Sequence, residues 1–179
     1  MRTTLSTALF AMGITATKPQ QDRHGDPKAP IRSVQDLDLQ RYAGLWYALA
    51  HYPNRFERDC YATTATYSLN PDGSVTVENR CRKGSLNGPE DGVTGKAEVT
   101  GPGQLKVGFV KYLPFIRGDY WVLDVTSDYH LAVVGEPGRT YGWVLSRDPH
   151  PGAELMEHAE AVLKRNGYNP ALLERVVQP

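Results

Sequence analysis

The stretch Thr64-Ala65-Thr66-Tyr67-Ser68-Leu69-Asn70-Pro71-Asp72-Gly73-Ser74-Val75-Thr76-Val77-Glu78 decides the fold class. On its first arm Ala65, Tyr67 and Leu69 alternate with Thr64, Thr66 and Ser68; on its second, Val75 and Val77 alternate with Ser74, Thr76 and Glu78. A period of two puts one set of side chains on a core and the other in water, as a half-buried strand requires. Between the arms, Asn70-Pro71-Asp72-Gly73 supplies turn chemistry, so the segment reads as a β-hairpin.

The same alternation extends in both directions. Upstream, residues 46–52 form a strand; downstream, residues 93–99, 105–109, 120–125, 130–134 and 141–146 repeat the pattern. The total is about eight strands, at the spacing of sandwiches and barrels. After Arg147 the period changes. Leu155, Ala159, Val162 and Leu163 fall at helical spacing and Asn166-Gly167 provides a stop, so one amphipathic helix follows the strands. Residues 175–178 read as a last short strand.

The 179-residue chain is 40% apolar and 22% charged, the proportions of an ordinary globule rather than of a membrane-spanning or wholly disordered chain. Twenty basic residues balance twenty acidic ones. The overall charge therefore gives no electrostatic basis for a nucleic-acid partner or for attraction to an anionic membrane. Residues 1–33 read as a leader: Arg2 precedes an apolar run at 5–16 of signal-segment type, too short to span a membrane and without a clean Ala-x-Ala cleavage site. No Cys lies near it to carry a lipid anchor. Residues 18–32 are rich in Lys, Gln, Asp, Gly and Pro and read as flexible, so one domain is expected over 34–179.

An antiparallel sheet of eight strands removes its edges by closing into a barrel. A barrel of that size is either just filled by side chains or holds one small ligand. The inferred inner face mixes small and medium side chains, Ala48, Ala50, Ala65, Val75, Val77, Gly95, Ala97, Val107 and Val122, with the aromatic Tyr52, Tyr67, Phe109, Tyr120, Tyr141 and Trp143. Small residues leave space and aromatics wall it. An apolar cavity with an apolar guest is expected, and Ala65→Trp should narrow it while leaving the barrel folded.

The segment Tyr42-Ala43-Gly44-Leu45-Trp46-Tyr47 carries the Gly-x-Trp signature that opens the first strand of lipocalins. Further matches follow in order: Asp38-Leu39 with Arg41-Tyr42, Phe56-Glu57-Arg58, Ala65-Thr66-Tyr67-Ser68-Leu69, Tyr120-Trp121-Val122-Leu123-Asp124, and Trp143-Val144-Leu145-Ser146-Arg147. Ser127-Asp128-Tyr129 is similar to the family's Thr-Asp-Tyr block, with Ser127 where Thr is usual. Over residues 34–179 the chain resembles the bacterial lipocalin and apolipoprotein D branch. That resemblance implies an eight-stranded antiparallel up-and-down calyx with its C-terminal helix packed outside. It also implies a lipid ligand, such as a fatty acid or lysophospholipid, and export to the periplasm or outer membrane. Gly44, Trp46 and Arg147 take structural roles in it: a guanidinium over an indole closes the barrel floor while its fork caps nearby carbonyls.

Cys60 and Cys81 flank the hairpin at its open end, and an even count in a chain with an export-type leader points to one disulfide. Strict alternation would put the two on opposite faces, so a bulge or loop is required. The rival reading is a thiol nucleophile facing the cavity, as in the lipocalin-type prostaglandin synthases. The five His residues show no metal-ligand spacing, and no phosphate loop or nucleophile elbow is present, so neither a metal nor a cofactor is expected. Lys111, Tyr112 and Arg117, around Leu113, Phe115 and Ile116, read as a solvated loop or as a point of peripheral membrane contact. The leading function is a binding protein for a small hydrophobic ligand, monomeric or weakly dimeric. The alternatives are an enzyme acting on a hydrophobic molecule in the same cavity, and a haem or tetrapyrrole scavenger.

Overall fold

Alternation about Asn70–Gly73 produces a long hairpin in the computed structural model, which describes residues 23–109 and 117–179. Strand β2 (Cys60–Leu69) pairs antiparallel with β3 (Val75–Lys83), with Leu69 opposite Val75 and Tyr67 opposite Val77. The turn closes through Asn70 N–H to Ser74 O at 2.8 Å and Gly73 N–H to Asn70 O at 3.0 Å. Gly73 supplies the positive φ of +80°.

A short helix α1 (Leu39–Tyr42) leads into β1 (Gly44–His51). After the hairpin the sheet continues through β4 (Glu90–Gly101), β5 (Gln104–Phe109), β6 (Arg117–Val125), β7 (Leu131–Gly135) and β8 (Gly142–Ser146). Each strand pairs antiparallel with its neighbour in sequence, and β1 pairs with both β8 and β2, so the sheet closes into an eight-stranded barrel. Closure pairs strand edges that an open sheet would leave free. The C-terminal helix α2 (Ala153–Arg165) packs outside, as the sequence indicates, with Met156, Ala159, Val162 and Leu163 buried against Leu131, Val133 and Val144 of the wall.

A two-residue strand β9 (Glu174–Arg175) pairs with Ala50 and His51 of β1, where β2 has diverged from β1. The chain beyond it bridges that gap. Val176 N–H donates to Leu49 O, Ala62 N–H donates to Val177 O, and the Gln178 amide donates to Ala48 O at 2.7 Å and Thr63 O at 3.0 Å. Backbone groups that would be orphaned at the split are thereby paired.

Order begins earlier than the compositional reading of residues 18–32 implied. His24 N–H donates to Arg139 O, Asp26 N–H to Gly167 O, and Asn169 N–H to His24 O. The buried Arg139 guanidinium, 1% exposed, donates to the carbonyls of Pro27, Ala29, Pro137 and Asn166. A polar segment is held here by hydrogen bonds to carbonyls rather than by apolar burial, which composition does not register.

Candidate functional site

The barrel has a floor, a core and a mouth, each set by different residues. At the floor, Gly44 turns from α1 into β1 with φ +96°, a conformation that suits glycine. The Trp46 side chain points inward, fully buried, and its indole N–H donates to Tyr42 O at 2.8 Å. Arg147 lies 3.9 Å over the indole ring and donates to the carbonyls of Leu45, Arg41, Tyr42 and Ala43. One guanidinium thus satisfies carbonyls of the α1–β1 turn, which has no ladder partner at that point.

Above the floor, Ala48, Ala65, Tyr67, Val77, Ala97, Val107 and Val122 form one apolar cluster, against which Phe109, Tyr120 and Trp143 pack. Gly95 belongs to the same level: a Cβ there would meet the Phe109 ring at 2.6 Å, so its absence makes room for that ring. Three phenols meet in this interior. The Tyr120 hydroxyl lies 2.7 Å from that of Tyr42 and 2.8 Å from that of Tyr67. Burial pushes all three hydroxyls well above the ordinary tyrosine pKa, so they stay neutral.

These rings change the expected shape of the cavity. Small residues do line the wall, but Tyr42, Tyr67 and Tyr120 fill the lower half, and the cavity among them measures ≈ 10 Å³, about one water. The larger space, ≈ 620 Å³, lies at the mouth between loop 52–59, Thr140–Tyr141 and the C-terminal strand. Its lining includes His51, Arg55, Glu57, Arg58 and Glu174. Tyr141 stands there, its ring stacked on Trp143 at 6.0 Å. Glu57 reaches from loop 52–59 to accept a 2.8 Å hydrogen bond from the Trp143 indole, fastening that loop across the mouth.

Two residues read as interior face the other way. Ala50 and Tyr52 pack on the outside, in the cluster with α2, Tyr52 stacking on Tyr168 and His24. The cause is a β-bulge in β1: Ala48 pairs with Leu145 but Ala50 with the very next residue, Val144. One extra residue reverses the phase of alternation, so Ala50 and Tyr52 turn outward and His51, opposite Trp143, turns inward. Tyr42, which sequence reasoning left out, sits inside because it precedes the strand; its position four residues before Trp46 is the signal that could have found it.

Cys60 and Cys81 form a disulfide with Cα atoms 5.4 Å apart. The required bulge lies in β2, where the register shifts between Tyr61 and Thr64 and Ala62 takes φ +49°. The shift moves Cys60 opposite Lys83, two residues from Cys81 and hence on the same face. Neither cysteine is free, which removes the thiol-nucleophile alternative. Among the described residues no group of three or more His, Cys, Asp or Glu side chains is placed to hold a metal, and no helix is long and apolar enough to cross a membrane. Arg117 pairs with Glu98 on the surface; Lys111, Tyr112, Leu113, Phe115 and Ile116, and the apolar run at 5–16, lie outside the described residues.

A closed antiparallel barrel with an apolar interior, a sealed floor and a polar mouth is the architecture of a small-molecule binding protein. A lipocalin-like domain model matches residues 37–178, and the chain belongs to the lipocalin family. It is 38% identical over 160 residues to the outer membrane lipoprotein Blc of Escherichia coli strain K12, covering 86% of each chain. It is 36% identical over 157 residues to temperature-induced lipocalin-1 of Arabidopsis thaliana, covering 84% of each. Among solved structures, insecticyanin of the tobacco hornworm Manduca sexta superposes with a TM-score of 0.66 at 20% identity, covering 84% of this chain and 86% of that one. The family is one of proteins that bind small hydrophobic ligands.

Proposed function

We propose that the protein binds and carries a single-chain amphiphile, a fatty acid or lysophospholipid, with its polar head at the mouth and its apolar chain entering the upper barrel, where Tyr42, Tyr67 and Tyr120 limit how deep it reaches. The observation that carries this is the polarity gradient along the barrel axis. Apolar Val77, Ala97, Val107 and Val122 line the interior, while the ≈ 620 Å³ space above is edged by His51, Arg55, Glu57 and Arg58. An acyl chain gains about 0.8 kcal/mol per buried CH₂, enough for micromolar affinity after the costs of association. The mouth cations suit a carboxylate or phosphate head.

Carriage rather than turnover is supported by the family and by the engagement of both cysteines in a disulfide. A disulfide is also the mark of an oxidising compartment. With a relative described as an outer membrane lipoprotein, it supports a role in lipid maintenance of the cell envelope. Calorimetric titration with a fatty acid and a lysophospholipid tests the reading. One site per chain and a negative heat-capacity change are expected; no binding of either overturns it.

A further inference from the structure

Three interior phenols, Tyr42 and Tyr67 buried and Tyr120 half-buried, carry one more hydroxyl proton than their two mutual bonds use. Tyr42, Tyr120 and Tyr67 form a chain of two hydroxyl–hydroxyl bonds with Tyr120 in the middle. Three hydroxyls carry three protons, and two links consume two of them. Among the described residues no further acceptor takes the third. Tyr42 and Tyr67 are only 3% and 5% exposed, and a small cavity, ≈ 10 Å³, opens beside all three rings. A proton facing a space about the size of one water can be met by a water or by a ligand oxygen that takes its place.

Resting on the reading of the barrel as a lipid site, we propose that this trio is an inner anchor for an uncharged oxygen, a keto or ester carbonyl, on the inserted part of the ligand. The ligand class is then an oxygenated acyl lipid rather than a plain one. Charge is disfavoured at this depth. Among the described residues the cation that acts on Tyr42, Arg147, spends its fork on floor carbonyls and lies over Trp46, so it is not available to a carboxylate among the phenols. A carbonyl accepts the spare proton and needs nothing more.

The anchor is tested by titrating hexadecanoic acid and its analogue bearing a keto group one carbon from the far end. Buried in a purely apolar chamber, the keto group loses its hydration and weakens binding by an order of magnitude or more. The wild type is expected to bind the two alike. The triple variant Tyr42→Phe, Tyr67→Phe and Tyr120→Phe removes every partner at once and keeps the ring shapes, a change close to neutral for stability. Relative to hexadecanoic acid, whatever the variant's affinity for that acid, it should bind the keto analogue at least tenfold more weakly than the wild type does.

Equal discrimination against the keto analogue in wild type and variant overturns the anchor and leaves lipid carriage standing. Binding of neither acid to the wild type overturns both. Should the variant fail to fold, the carbonyl stretch of the analogue bound to wild type decides. A shift to lower frequency than in hydrocarbon supports the anchor, and a hydrocarbon-like frequency overturns it.

Discussion

Arg147 lies 3.9 Å over the indole of Trp46, and the same guanidinium donates to Leu45 O and Ala43 O on the chain entering β1. The pair joins the end of β8 to the start of β1, where the floor of the barrel is formed. Emptying a buried aromatic site costs about 3–5 kcal/mol, so Trp46→Ala should lower the melting temperature sharply. Arg147→Lys retains charge but not the fork, and should cost about 1–3 kcal/mol. Unfolding in urea measures both.

Cys60 and Cys81 close a loop of sequence separation 21. In the chain-entropy picture such a crosslink stabilises by about 3 kcal/mol. Thermal unfolding with and without reductant should show that loss, and the Cys60→Ser, Cys81→Ser double variant should match the reduced wild type. Identical melting with and without reductant would contradict the crosslink.

Ala97, 1% exposed, lines the small inner cavity between Val75 and Val107. Ala97→Phe should abolish or strongly reduce lipid binding in a titration, at an overpacking cost above that of added methylenes, about 1–3 kcal/mol, with circular dichroism checking that the barrel stays folded. Ala65→Trp is a poorer probe, because Ala65 stands directly opposite Trp46 in the ladder and a second indole there would press on the floor.

Burial raises the pKa of Tyr42, Tyr52, Tyr67, Tyr120 and Tyr168 above the ordinary 10.0. A group whose folded pKa is raised binds its proton more tightly when folded. Its contribution is complete below the unfolded value near 10 and is lost as pH climbs above it. The tyrosine contribution should therefore be level up to about pH 10 and fall beyond it. Phenolate absorbance of these five should appear together with loss of circular dichroism; ionisation of the five while the barrel stays intact would contradict their burial.

Much of the barrel was legible because alternation about Asn70–Gly73 repeats along the chain and a one-sided strand carries its own face assignment. Alternation reports a face only while the register is unbroken. The bulge after Ala48 has no signature in Leu49 or Ala50, so alternation alone places Ala50 and Tyr52 inside, whereas they pack in the cluster with α2. The bulge in β2 could be inferred only because two cysteines needed it. Arg139 and its carbonyl cage stayed invisible, since a buried guanidinium reads as any surface arginine until residues 24–29 are folded onto it. The tyrosine trio was half visible: Tyr67 and Tyr120 alternate inward, whereas Tyr42 arrives from a helix.

The central claim is that the barrel encloses a lipid chain. Native mass spectrometry of protein purified from its own source, followed by organic extraction, tests it most directly. One intact amphiphile per chain, absent from Ala97→Phe, is the result expected. A bare chain that also takes up no fatty acid or lysophospholipid on incubation would contradict it.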